Sequence, residues 1–184
     1  MKTKFKTNKK MTKNDETKLR GISNKEIKII SDLEFREKKY FTREDIAEHF
    51  KNNKEMINTL YSLVKKDRVV RLSKNKYFLV PIKARIGKWS DEPFIIIDET
   101  LDGKDYFIGG WSAANYWRLT DQIPFRYDVY TTRRQGKYKI LGVEIFFHRA
   151  TKENINKNSC EREINIHKFR ILNKRGSRKW MKLR

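Results

Sequence analysis

The segment from residue 52 to residue 80 reads NNKEMINTLYSLVKKDRVVRLSKNKYFLV, and its apolar periodicity changes partway along. In the first half apolar residues recur at helical spacing, which predicts an amphipathic helix. These residues are Met56, Ile57, Leu60, Leu63 and Val64. After Asp67, two short apolar runs at 69–72 and 77–80 flank the polar residues 73–76, and this pattern predicts a β-hairpin with a basic tip.

Two further helices are predicted upstream of this segment. Ser23 and Glu26 have the spacing of a capping box, which predicts a helix that starts at Ser23 and ends near Tyr40. Its core-facing residues are Ile27, Ile30 and Leu33. Thr42 is expected to cap a second, short helix with an inner face of Ile46, Ala47 and Phe50. Three helices followed by a hairpin predict a winged helix-turn-helix DNA-binding domain over residues 21–85.

The outer face of the third helix and the hairpin tip are polar and basic, which is typical of a surface that approaches base edges and phosphates. The residues predicted to face the DNA groove are Lys54, Asn58, Thr59 and Ser62. Those predicted to contact phosphates are Lys65, Lys66, Arg71, Lys74 and Lys76. The alternative is that this domain serves only as a protein interface.

The charge of the chain indicates a polyanionic partner. The 184 residues contain 44 Lys and Arg against 23 Asp and Glu, a net charge of +21, which points to nucleic acid or an anionic membrane surface. No apolar run approaches the roughly 20 residues that cross a bilayer, and residues 1–20 lack a secretory signal, so we expect a cytoplasmic location. Cys160 is the only cysteine, so no internal disulfide is predicted. The three histidines show no metal-ligand spacing, so no metal site is predicted, and no other cofactor is predicted either.

Residues 86–172 are predicted to form a second, small domain, which makes the whole chain α+β. Strands are predicted at 94–97, 106–108, 127–132 and 143–148, and a helix at 112–119 with Ser112 as its N-cap. A basic loop lies between the last two strands. Its residues Arg133, Arg134 and Lys137 are predicted to form a secondary contact with nucleic acid or a partner protein.

The two ends of the chain are predicted to lie outside any core. Residues 1–20 are interpreted as a flexible basic arm and residues 173–184 as a basic tail. In the tail, Arg178, Lys179 and Trp180 join the predicted secondary contact, because an aromatic ring among cations can stack on an unpaired base. The alternative for Trp180 is that its ring packs back onto the second domain.

The second half also contains residue types that hydrolases and nucleases use. Ser112 follows a glycine turn, but the second glycine of a nucleophile elbow is missing, and N-capping with tight packing explains the turn better. The carboxylates that would hold metal ions in a nuclease, if the fold brings them together, are Asp98, Glu99, Asp128 and Glu144. The chain is predicted not to be an enzyme, and a metal-dependent nuclease or other nucleic-acid-processing enzyme built on the second domain is the alternative.

Several stretches carry a family resemblance, namely FTREDIA at 41–47, the segments 60–66 and 68–80, YFIGGWSAA at 106–114, LTDQIP at 119–124 and DVYTT at 128–132. In order and type they resemble the AbiEi-type antitoxins of bacterial and archaeal type IV toxin–antitoxin systems, which act in phage abortive infection. The resemblance implies a DNA-binding transcriptional regulator that represses its own operon from double-stranded operator DNA. It further implies a nucleotidyltransferase-like toxin as partner, and a symmetric operator would imply a homodimer on the DNA.

Overall fold

The computed structural model describes residues 21–84 and 89–183. The predicted basic arm, residues 1–20, lies outside the described residues. The chain divides into two compact units. Of the described residues, the first unit contains 21–71, 77–84 and 89, and the second unit contains 72–76 and 90–183. Helices and sheets occur in both units, so the protein is of the α+β class, as predicted.

Helix α1 (Asn24–Phe35) begins at the predicted capping box. The Ser23 hydroxyl accepts a hydrogen bond from the Glu26 N–H (3.3 Å), and the Glu26 carboxylate accepts one from the Ser23 N–H (2.6 Å). Two backbone donors at the helix start are thereby satisfied. The helix buries its predicted apolar positions except Ile27, which is exposed.

The segment after α1 differs from the prediction. The helix ends earlier than expected, and Tyr40–Thr42 form strand β1. A 3₁₀ helix, Glu44–His49, takes the place of the predicted second α-helix. Arg43, and not Thr42, occupies its N-cap position. The Thr42 N–H and hydroxyl both donate to the Asp45 carboxylate (2.7 and 3.1 Å). This local side-chain bonding competes with a regular helix start.

Helix α2 (Asn53–Lys65) and the hairpin that follows it agree with the prediction. The Asn52 side chain caps α2 by accepting a hydrogen bond from the Glu55 N–H (2.9 Å). Strands β2 (Val69–Arg71) and β3 (Lys76–Leu79) pair antiparallel, and the sheet order is β1-β3-β2. The buried core of these elements consists of Ile29, Ile30, Leu33, Phe41, Ile46, Met56, Leu60, Leu63, Val69, Tyr77 and Leu79.

The described part of the second unit combines four helices with a mixed sheet. The helices are α3 (Pro93–Leu101), α4 (Gly110–Tyr116), α5 (Lys152–Asn158) and α6 (Lys174–Lys182). The strands are β4 (Tyr106–Gly109), β5 (Tyr127–Thr131), β6 (Gly136–Ile140), β7 (Val143–Arg149), β8 (Ser159–Ile164) and β9 (His167–Leu172). Strands β4, β5 and β7 confirm three of the predicted strands. None of the described helices combines the length and apolar character that a membrane crossing requires.

The sheet of the second unit has the spatial order β6-β7-β5-β4-β9-β8. Strand β5 runs parallel to β7, and β4 runs parallel to β9. The other neighbours, β4 with β5, β6 with β7 and β8 with β9, pair antiparallel. Strand β6 occupies residues that were predicted to form a basic loop. The pairing of β6 with β7 at this edge of the sheet was therefore not predicted from the sequence.

Residues 94–97 are helical, which contradicts the predicted strand. Pro93 stands in the first turn of α3, where its missing N–H removes no helical hydrogen bond. Ile95, Ile96 and Ile97 are all buried, so the run is apolar on every side. Such a run has no periodicity that separates a buried helix from a buried strand.

The residues predicted to form a basic tail form helix α6 instead. The Asn173 side chain caps this helix by accepting a hydrogen bond from the Gly176 N–H (2.8 Å). Ser177 is fully buried, and the Trp180 ring meets the Trp111 ring of α4 edge-on, with ring centroids 5.2 Å apart. Helix α6 therefore packs against α4 and belongs to the fold of the second unit.

Candidate nucleic-acid interface

Helix α2 presents a line of exposed side chains opposite its buried face. Lys54, Asn58 and Lys65 are exposed, and Tyr61, with 72% of its surface accessible, lies among them. Their spacing of i, i+4, i+7 and i+11 keeps them on one side of an α-helix. We call Lys54, Asn58, Tyr61 and Lys65 the α2 stripe.

Two residues on this side of α2 were not assigned to it from the sequence. Tyr61 was left unassigned, although its position three residues after Asn58 would have placed it there by helical spacing alone. Ile57 was predicted to face the core, but it is 42% exposed. The exposed side of α2 therefore offers an aromatic ring and a branched apolar side chain besides its polar groups.

Ser62 and Lys66, which were predicted to contact DNA, are turned toward α1. The Ser62 hydroxyl donates to a carboxylate oxygen of Glu26 (2.8 Å), and the Lys66 ammonium donates to both oxygens (2.9 and 2.7 Å). Lys66 also donates to the Gly21 carbonyl (2.5 Å). These two side chains thus hold α2 to the start of α1, which corrects the expectation that they face outward.

The Glu26 carboxylate at the centre of this contact is buried yet ionised. Burial alone would raise its pKa, but the hydrogen bonds from Lys66, Ser23 and Ser62 outweigh that effect and hold the pKa at about 2. A charge with 3% exposure is tolerated because each carboxylate oxygen has donors. The Glu26 cluster is therefore a structural contact within the first unit.

Thr59 and Glu55 also use their polar groups within the first unit. The Thr59 hydroxyl donates to the Glu55 carbonyl one turn earlier (3.0 Å), so this half-buried side chain lies beside the α2 stripe. The Glu55 carboxylate forms an ion pair with Lys25 and accepts a hydrogen bond from the Lys51 N–H (3.3 Å). The Lys25 contact and then the Lys51 contact lower the pKa of Glu55. The acid at the start of α2 therefore has a cation beside it.

The three cations predicted on the hairpin have different surroundings. Arg71 and Lys74 are exposed. Lys76 belongs with the second unit and forms an ion pair with Glu99 (2.7 Å). Only 23% of the Lys76 side chain is exposed, so Arg71 and Lys74 are the more accessible hairpin cations.

The predicted secondary contact at Arg133, Arg134 and Lys137 is largely occupied by neighbouring groups. Arg133 donates to the Leu101 carbonyl at the end of α3 (2.7 Å). The Arg134 guanidinium lies over the Phe147 ring (4.9 Å to the centroid). Lys137, on β6, lies over the Phe146 ring (5.2 Å). These cations cover protein surface, so they offer less free charge than the sequence indicated.

The second part of that predicted contact lies on α6. Arg178 and Lys179 are exposed, whereas Trp180 is half-buried against Trp111. The structure therefore agrees with the alternative in which Trp180 packs onto its own domain. The two cations remain on the outer face of α6.

Each carboxylate considered for a nuclease contacts a basic side chain. Asp98 and Glu99 share His167, whose ring nitrogens lie 2.9 and 3.9 Å from them. Asp98 accepts a hydrogen bond from the Tyr106 hydroxyl (2.5 Å) and pairs with His167 (2.9 Å). Burial and then the Asp98 charge raise the pKa of Tyr106. The remaining pairs are Glu99 with Lys76 (2.7 Å), Asp128 with His148 (2.8 Å) and Glu144 with Lys139 (3.3 Å). Asp128 and Glu144 thus lie in separate contacts on β5 and β7.

Ser112 is neither an N-cap nor an exposed hydroxyl. Gly109 occupies the N-cap position of α4, and the buried Ser112 hydroxyl donates to the Arg126 carbonyl (3.3 Å). Gly110 has a φ of +60°, and a Cβ there would lie 2.6 Å from an Asp128 carboxylate oxygen. The glycines therefore form a tight packing turn, as the sequence favoured.

One cluster with a metal-like composition was not foreseen from the sequence. Among the described residues, Asp32, Glu48 and His49 bring their side chains close together, and His49 Nε2 lies 2.9 Å from Asp32. The Arg36 guanidinium already pairs with Asp32 and lies 3.4 Å from Glu48. The contact with His49 and then Arg36 lowers the pKa of Asp32. This cluster is an ion-pair network that joins α1 to the 3₁₀ helix.

Comparison with known proteins identifies a structural neighbour. No protein-family model matches the chain, and no curated protein matches it. The crystal structure of the RV2827C protein from Mycobacterium tuberculosis is similar, with a TM-score of 0.52 and 15% sequence identity over 76% of this chain. The match spans 50% of that protein's chain. At this identity the comparison shows that the two chains share a fold, and nothing further.

Proposed function

We propose that the protein is a DNA-binding transcriptional regulator whose first unit is a winged helix-turn-helix. The observation that carries the proposal is the α2 stripe, which faces solvent while Met56, Leu60 and Leu63 on the opposite side are buried. A recognition helix needs this division, because one side must pack on the domain while the other enters the major groove.

The order and pairing of the elements support this proposal. Helix α1, the 3₁₀ helix and α2 precede a hairpin whose strands join a sheet in the order β1-β3-β2. In a winged helix-turn-helix the helix before the hairpin is the recognition helix, and the hairpin is the wing. Arg71 and Lys74 on the hairpin are exposed cations suited to the phosphate backbone.

The chemistry of the α2 stripe suits direct recognition of bases. An asparagine amide can accept from and donate to the adenine edge, and a lysine ammonium donates to guanine acceptors. In this assignment Asn58 and Lys54 recognise base edges, the Tyr61 ring adds apolar contact and Lys65 binds a phosphate. The net charge of +21 adds attraction that does not depend on sequence.

The experiment that tests this function is selection of bound duplexes from the source genome, followed by binding measurements on the enriched fragment. We expect Asn58→Ala to weaken the preference for that fragment over random duplex, and Lys54→Ala with Lys65→Ala to weaken binding to both. Lys28→Ala on the exposed surface of α1 is the matched control. Wild-type affinity of both α2 variants over a salt titration would show that α2 does not bind DNA.

The family resemblance adds a regulatory role to this proposal. We propose that the recognised duplex is the protein's own promoter and that the protein is the antitoxin of a nucleotidyltransferase-like toxin. Enrichment of its own promoter in the selection would support autorepression. Relief of growth inhibition on co-expression with an adjacent nucleotidyltransferase gene would support neutralisation, and persistent inhibition would contradict it.

A further inference from the structure

Helix α6 concentrates positive charge on one of its faces. Arg175, Arg178, Lys179 and Lys182 are all exposed and follow the spacing i, i+3, i+4 and i+7. This spacing places four cations within about a third of the helix circumference. We call these four residues the α6 stripe.

The opposite side of α6 fixes the helix to the second unit. Ser177 is fully buried, and Trp180 packs edge-on against Trp111. Gly176 lies so near Leu172 that an added Cβ would come within 2.8 Å of the leucine side chain. The α6 stripe is thus held on an ordered surface and does not depend on a loose tail.

The four cations of the α6 stripe repel one another along the helix. No Asp or Glu occurs between residues 164 and 184, so the four cations have no acidic neighbour on α6. Among the described residues, no carboxylate lies within ion-pair distance of them. Like charges at i, i+3 and i, i+4 repel each other. The helix dipole disfavours Arg175 in the first turn and favours Lys179 and Lys182 in the last turn, so the repulsion within the stripe is only partly offset. A pattern that opposes local stability is typical of a functional surface.

The shape beside the α6 stripe fits an extended anionic ligand. An open groove of about 490 Å³ is lined by Leu119, Arg175, Arg178, Lys179, Met181 and Lys182. The stripe extends over about 10 Å at 1.5 Å per residue, and duplex DNA carries one charge per about 1.7 Å of its axis. Several phosphates can therefore face the four cations at once.

We propose that the α6 stripe is a second binding surface for the phosphate backbone of duplex DNA, separate from α2 and indifferent to base sequence. The proposal shares its ligand with the proposed function but rests on different residues. It assigns to the second unit a direct part in DNA binding, with Trp180 acting only to hold the helix in place.

The test compares two full-length quadruple variants that lose the same charge. One carries Arg175→Gln, Arg178→Gln, Lys179→Gln and Lys182→Gln. The control carries Lys104→Gln, Arg149→Gln, Lys152→Gln and Lys157→Gln, which are exposed cations scattered over the second unit. Affinity for a random-sequence duplex is measured by fluorescence anisotropy between 50 and 200 mM salt.

The α6 variant should bind roughly tenfold or more weakly at low salt, and the slope of log affinity against log salt should fall by about 3 to 4, since each phosphate contact contributes about 0.9. In the control variant, the slope of log affinity against log salt should fall far less. If affinity and salt slope fell equally in the two variants, the proposal would be overturned, because the loss of net charge alone would then explain the effect. Thermal melting should show the α6 variant about as stable as wild type, because the repulsion that is removed offsets the loss of the favourable last-turn cations Lys179 and Lys182.

A third protein separates this inference from the proposed function. Lys54→Ala with Asn58→Ala removes base-contacting groups of α2 and leaves the α6 stripe intact. If that protein binds the selected duplex like wild type while the α6 variant is weakened on random duplex, the proposed function fails and this inference stands. If the α2 variant is weakened and the α6 variant behaves like the control, this inference alone fails. If the α6 variant melts early, Arg178→Gln with Lys182→Gln repeats the test with half the charge loss.

Discussion

The ammonium of Lys66 lies 2.7 Å from the carboxylate of Glu26 and thereby ties the end of α2 to the first turn of α1. The contact joins residues on two helices of the first unit and so fixes one helix to the other. Because the Glu26 carboxylate also accepts hydrogen bonds from Ser23 and Ser62, loss of this side chain would leave several donors without a partner.

Glu26→Gln is expected to lower the free energy of unfolding at pH 7 by about 2 to 3 kcal/mol, since the ionised form is favoured in the folded state. The pKa of Glu26 is lowered from 4.5 to about 2, so its contribution is complete above about pH 4.5 and is lost as the pH falls toward 2. Urea unfolding at pH 7, 4 and 3 should show the difference between wild type and variant shrinking with acid. Glu37→Gln, at an exposed position, should show no such trend.

Tyr61→Ala should weaken binding to the selected duplex several-fold while leaving the melting temperature unchanged, because 72% of this side chain is exposed. Leu60→Ala, one residue earlier, should have the opposite profile and destabilise the fold by about 2 to 4 kcal/mol, because Leu60 is buried in the core. Anisotropy and thermal melting of the two variants check the assignment of the faces of α2. A Tyr61→Ala protein that melts early would place this ring in the core instead.

Gly110→Ala should destabilise the second unit by more than Gly142→Ala. Both glycines have a positive φ, so both substitutions carry a backbone cost of about 1 kcal/mol. At Gly110 the new methyl group would also lie 2.6 Å from Asp128, whereas the space around Gly142 is open. Melting temperatures of the two variants should therefore rank Gly110→Ala below Gly142→Ala, and equal melting would contradict the packing explanation.

Trp180→Ala should lower the melting temperature of the protein, because the ring loses its edge-on contact with Trp111 and α6 loses an anchor. A loss of about 2 to 3 kcal/mol is expected for a half-buried aromatic side chain. Leu183→Ala, at the exposed C-cap of α6, should leave stability nearly unchanged. If Trp180→Ala melts like wild type, helix α6 is held by other contacts.

The elements with strong local signals were predictable from the sequence. The capping box predicted the start of α1, and the apolar spacing predicted α2. The segments 127–132 and 143–148 were predicted as strands and correspond to β5 and β7. Helix α3 was missed because its isoleucines are buried on every side and show no period. Helix α6 was missed because its anchoring residues, such as Ser177, are few among many cations.

The candidate interface was predictable only where exposure follows from spacing. Lys54, Asn58 and Lys65 lie on the outer side of α2, as the helical period requires. Ser62 and Lys66 share that polar character, but their partner Glu26 lies on another helix, and a sequence pattern does not reveal such a distant contact.

The order β6-β7-β5-β4-β9-β8 leaves β6 and β8 as the outer strands, and both carry charge along their length. Lys137 and Lys139 stand on β6, while Glu161 and Glu163 stand on β8. Charged outer strands discourage the addition of a further strand from another molecule. Pairing of β6 with β6, or of β8 with β8, between two molecules would bring like charges together, so the sheet opposes association of the same edge from two copies.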